Sequence, residues 1–114
     1  MRVTLPLKLV SVANRREHWS VRARRARAHR QAAIVVPRPD FAPPYTVTIT
    51  RIGPRRLDDD NLASAAKALR DGIADRLGMD DGDSRISWRY RQDHGDYGAV
   101  VEIFPRMVVD SGAG

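Results

Sequence analysis

Three consecutive aspartates and an asparagine, Asp58-Asp59-Asp60-Asn61, stand directly before a stretch with helical periodicity, and they constrain the fold more than any other feature. Adjacent carboxylates repel. A chain tolerates them where a helix N-terminus stabilises negative charge or where a bound cation neutralises it. Capping residues followed by apolar positions at 3.6-residue spacing predict a helix over about 59–77. On that helix Asp60, Ser64, Lys67 and Asp71 share one face, and Leu62, Ala66, Leu69, Ile73 and Leu77 share the opposite one. Gly78 ends the helix. The acidic turn Asp80-Asp81-Gly82-Asp83 follows.

The other elements are read from local pattern. Val3, Leu5, Leu7 and Leu9 alternate with polar residues as a half-buried strand, placed at a sheet edge by Pro6. Asn14 is a candidate cap for a helix over about 15–34, whose thin apolar face is Trp19, Ala23, Ala26 and Ala33. Pro37, Pro39, Pro43 and Pro44 make a loop. Tyr45, Val47 and Ile49 alternate with threonines in a second strand, which Gly53-Pro54 breaks. Residues 85–91, with Ile86 and Trp88 on one face, and residues 97–104 give two more strands. Trp88 and Phe104 are assigned to the core, and His94 to a solvated turn. The expected class is α+β: a small mixed sheet with two main helices in the order β-α-β-α-β-β. It forms one domain over 1–106, followed by a flexible tail over 107–114.

Composition narrows the partners. The 114 residues carry a net charge of +6 and no cysteine, which excludes disulfides and cysteine-zinc sites. The histidines His18, His29 and His94 have no metal-ligand spacing. No apolar run approaches the ~20 residues of a membrane helix, so the expectation is a soluble, cytoplasmic protein without a membrane partner. Residues 1–56 hold 13 Lys and Arg against 2 acids, whereas residues 57–114 hold 7 against 12. A basic half suits a polyanion such as DNA. Preference for arginine over lysine follows from nucleotide composition, but the gathering of acids after position 57 does not.

One carboxylate is sufficient for a helix cap, and the chain has three there and a further pair, Asp80-Asp81, after the helix. Gathered aspartates inside a basic protein suit Mg²⁺ or Mn²⁺, which take oxygen ligands and need few carboxylates. Asp58 and Asp60 flank the helix start and can converge on one ion, and Asp81 is a candidate third ligand. A calcium loop is rejected, because Asp80-Asp81-Gly82-Asp83 lacks the glycine and closing glutamate of that motif. No arrangement of Ser, His and Asp points to acyl transfer.

Asp58-Asp59-Asp60-Asn61, then Lys67 on the same helix, Asp71 four residues later and Met79-Asp80-Asp81 before a strand, resemble the RusA family of Holliday junction resolvases, endodeoxyribonucleases of phages and prophages. The resemblance covers about residues 45–104. It implies a homodimer that cleaves four-way DNA junctions with Mg²⁺ or Mn²⁺, with Asp58, Asp60 and Asp81 as metal-binding acids and Lys67 as the catalytic lysine. One position departs from the family pattern. The family lysine usually follows the asparagine by three residues, where this chain has Ser64, and Lys67 lies nearly one turn further on. Two roles stand for Lys67: a catalytic cation, or a partner of Asp71 in a helical pair. Asn61 is a cap or an orienter of the acids.

Seven arginines fall within residues 15–30, and the candidate DNA contacts are Arg15, Arg16, Arg22, Arg25 and Arg30, with Arg55 and Arg56 just before the acidic run. Trp19 is read as core, with base stacking as the alternative. Two rival functions remain: a non-catalytic DNA-binding protein, and a metal nuclease acting on another structured nucleic acid.

Overall fold

The computed structural model describes residues 1–11 and 18–106. Its elements are β1 (Arg2–Leu5), α1 (Trp19–Ala32), a 3-10 turn (Ala33–Val35), β2 (Tyr45–Gly53), α2 (Asp59–Leu77), β3 (Ile86–His94) and β4 (Gly98–Pro105). The class is α+β and the order is the expected one. The sheet runs β1-β4-β2-β3. β2 is parallel to β3, and β4 is antiparallel to both β1 and β2, so the sheet is mixed. Parallel neighbours need a crossover, and α2 is the crossover between β2 and β3.

Strand periodicity selects the face that the helices cover. Val47 lies opposite Trp88 and Ile103, and Ile49 opposite Tyr90 and Val101. These positions meet Ala66, Leu69 and Ile73 of α2 in the core, all of them fully buried. The other sheet face carries Thr46, Thr48 and Thr50 on β2, and among the described residues no helix covers it. The apolar face expected for α2 is thus the buried one, with Leu77 half-buried at its end. Gly78 closes α2 with φ of 71°, the left-handed conformation that favours glycine.

Several expectations are corrected. β1 stops at Leu5, because Pro6 supplies no N–H to the ladder, and Leu9 is fully buried outside any strand. α1 begins at Trp19 rather than 15, capped by His18, whose Nδ1 accepts from Ser20 N at 3.2 Å. The proposed Asn14 cap, Arg15, Arg16 and the tail over 107–114 lie outside the described residues. Trp19 is 73% exposed and Phe104 45% exposed, so neither belongs to the core. Phe104 pairs with Thr46 on the sheet face away from the helices. α1 instead turns His29 and the following Ala33 inward, while Ala23 and Ala26 are exposed. Among the described residues no helix is long and apolar enough to cross a membrane.

Candidate functional site

Asp58 is the N-cap of α2. Its Oδ1 accepts from Asn61 N at 2.8 Å and its Oδ2 from Asn61 Nδ2 at 3.0 Å. Asn61 is therefore not the cap; it donates through its backbone and side-chain N–H groups to both oxygens of the Asp58 carboxylate, which is the cap. Asp59 and Asp60 occupy that turn, exposed, where the positive end of the helix dipole favours them.

One turn further, Ser64 and Lys67 border a trough of about 290 Å³ with Ala63, Arg70, Asp81 and Tyr90. Lys67 Nζ lies 3.6 Å from Asp71 Oδ1. The acidic turn folds back against α2 because Arg70 and Trp88 hold it. Arg70 Nη2 donates to Asp81 O at 3.0 Å, Trp88 Nε1 donates to the same oxygen at 2.8 Å, and Arg70 Nε lies 3.4 Å from Asp81 Oδ2. The Arg70 guanidinium lies over the Trp88 ring at 4.8 Å and also donates to Tyr90 Oη at 3.0 Å. Trp88, expected as plain core, thus uses its indole N–H to place the turn.

Lys67, Asp71, Asp80 and Asp81 border a second hollow with Arg30. The structure therefore brings Lys67, Asp71 and the Asp80-Asp81 turn together. Asp58 and Asp60 remain at the start of α2, about 18 and about 15 Å along the helix axis from Arg70 at ~1.5 Å per residue. Among the described residues no three His, Asp or Glu side chains converge as a metal-holding group. The expected set of Asp58, Asp60 and Asp81 does not form such a group among the described residues, and Asp81 is held by Arg70 and Trp88.

The basic residues also sort. Ser64 sits on a ridge, because it borders both the Lys67 trough and a small crevice lined by Arg22, Arg25 and His29 of α1. Burial, and then the neighbouring Arg25, lower the pKa of His29 from its ordinary 6.5. Arg30 is committed to Asp75, with Nη2 2.6 Å and Nε 2.8 Å from Oδ2, so it ties α1 to α2. Asp83 is paired with Arg85 in the turn, and their hydrogen bond holds its carboxyl down at about 2. Arg55 and Arg56 border a cavity with Arg51, Gln92 and His94. Gln92 brackets the residue before the acidic run, accepting from Leu57 N at 2.8 Å and donating to Leu57 O at 2.7 Å.

Arg51, Arg70 and Gln92 were missed in the sequence. A signal existed for Arg51, which continues the inward series Tyr45, Val47, Ile49. Arg70 and Gln92 carry no local signal, because their partners are 11 and 35 residues away. Comparisons with protein-family models, with curated proteins and with solved structures give no match.

Proposed function

We propose that the protein is a metal-dependent endonuclease that cuts four-way DNA junctions as a two-fold dimer. The observation that carries this reading is the seating of α1 on α2. It sets Arg22 and Arg25 on one side of Ser64, with Lys67 and Asp81 on the other. Cationic groups suited to a phosphate backbone thus border the helix that bears the acids. The exposed Trp19 adds an aromatic face on the same basic helix, suited to stacking on an unpaired base.

The donor set suits a small hard dication. Mg²⁺ keeps several waters and needs one or two carboxylates, and Asp60 has no hydrogen bond or ion pair among the described residues. Asp58 and Asp60 would hold the ion at the start of α2, and Asp81 borders the trough with Lys67 further along the helix. When bound, such an ion lowers the pKa of water and stabilises charge on the phosphate. The protein's own groups do the rest. Arg22 and Arg25 hold the backbone, Asn61 fixes the Asp58 carboxylate, and Lys67 meets negative charge that develops on the phosphate. A two-fold dimer presents two such sites to the two opposed strands of a junction. The sheet face that no described helix covers would be the surface for that pairing.

The decisive assay compares cleavage of matched junction, duplex and single-stranded DNA in Mg²⁺ and in EDTA. Junction cleavage in Mg²⁺ alone is the expected result. A second reading, a non-catalytic DNA-binding protein, draws support from the two ion pairs that engage Lys67 and Asp81. It predicts binding with no cleavage of any substrate.

A further inference from the structure

Arg51 follows Tyr45, Val47 and Ile49 at the next inward position of β2, and it is only 3% exposed. A guanidinium removed from water to that depth is disfavoured unless negative charge compensates it. Its Nε donates to Leu9 O at 2.7 Å and its Nη1 to Arg55 O at 2.6 Å. The Tyr97 ring lies 5.9 Å from its Cζ, and Lys8 Nζ lies 4.6 Å from the same ring. Two carbonyl dipoles and a ring face offset part of the charge. Among the described residues no carboxylate pairs with Arg51, and its Nη2 has no hydrogen bond.

The side chain lines a cavity of about 230 Å³ with Arg55, Arg56 and His94, and with Asp93 as the one acid among its lining residues. Gly53 leaves room for the guanidinium, since a Cβ there would come within 2.8 Å of Arg51 Cζ. Three arginines against one aspartate give the cavity a positive lining that favours anions, and the planar arginine head matches phosphate oxygens. Its place is equally specific. Gln92, another of its lining residues, brackets Leu57, the neighbour of Asp58.

We infer that this cavity is a phosphate-group site that grips one backbone phosphate of the nucleic acid beside the acidic start of α2. The identity of the ligand as nucleic acid rests on the function proposed above, whereas the anion preference rests on the cavity alone.

The test follows the Arg51 Nε–H resonance in the wild-type protein. It is titrated with inorganic phosphate, with chloride at equal ionic strength, and with a four-way junction in EDTA. In parallel, the salt dependence of junction affinity is measured for wild type, Arg51→Gln and the double variant Arg55→Gln/Arg56→Gln. The expected result is that phosphate and junction shift the resonance and chloride does not. Both variants should also flatten the slope of log K against log salt by about 0.9, one phosphate contact. Should Arg51→Gln fail to fold, the surface double variant and the wild-type resonance still decide. Junction binding that leaves the Arg51 resonance and the slopes unchanged overturns the site and leaves the nuclease reading standing. A response to phosphate with no DNA binding at all overturns the assignment to nucleic acid and sinks the nuclease reading with it.

Discussion

Lys67 is where two physical roles meet. Its ammonium is largely exposed, 3.6 Å from Asp71, and such a pair contributes only tenths of a kcal/mol to stability. If Lys67 meets developing charge in the transition state, Lys67→Ala lowers single-turnover junction cleavage on the order of a hundredfold or more, the scale for loss of one preorganised donor. Thermal stability changes little. Lys67→Arg rescues poorly, because a planar guanidinium places its donors differently. Cleavage at the wild-type rate by Lys67→Ala would reduce the residue to a helix-surface partner. His29 gives a second prediction. Burial and Arg25 lower its pKa below the ordinary 6.5, so protonation disfavours the folded state. The stability it contributes is complete above pH 6.5 and is lost as pH falls from there through the lowered folded value. Melting curves across that window should show a decline that His29→Gln flattens. At this scale the sequence made the polar face of α2 legible, because 100° per residue places Asp60, Ser64, Lys67 and Asp71 without knowledge of any neighbour. It did not make legible the anchoring of Asp81 by Arg70, which depends on how the turn folds back.

Among the elements, α2 was legible to the residue and α1 was not. Every boundary signal of α2 is local: the Asp58 cap, the acids in the first turn and the left-handed Gly78. α1 lacks an apolar stripe, and its expected face of Trp19, Ala23 and Ala26 is open to solvent. It is held by long-range contacts instead, the Arg30–Asp75 ion pair and a close approach at Gly72. Glycine within a helix is disfavoured by about 1 kcal/mol relative to alanine, and Gly72 is explained by that approach. A Cβ at residue 72 would lie 2.9 Å from Ala33 Cβ and closer still to the carbonyl of Arg30. Gly72→Ala should therefore destabilise the protein by about 1–3 kcal/mol by overpacking, despite alanine's better helix propensity. Denaturant unfolding measures it, and a stabilised variant would show that α1 does not seat closely on α2. Thr46, Thr48 and Thr50 marked β2 by alternation, while β3 and β4 run beyond their expected ends because β2 offers ladder partners as far as Gly53 and Tyr45.

For the whole molecule, class and element order followed from pattern, but the strand order β1-β4-β2-β3 did not, since pairing of distant strands leaves no local trace. The fold bears on the proposed function. The basic first half and the acidic second half are separate in sequence, and the fold interleaves them by seating α1 on α2 and by placing Arg51 beneath the loop that enters α2. On the proposed function the acidic start of α2 is chemical machinery and not merely a cap. Asp58 performs the capping, so Asp60 can be altered without removing the hydrogen bond that starts the helix. The most direct measurement is junction binding and Mg²⁺-dependent junction cleavage by Asp60→Asn, side by side with the wild type. Loss of cleavage with binding retained or tightened is the expected result, because on the proposed function the substitution removes a metal ligand and a negative charge facing phosphate. Cleavage at the wild-type rate, or loss of binding together with cleavage, would contradict it.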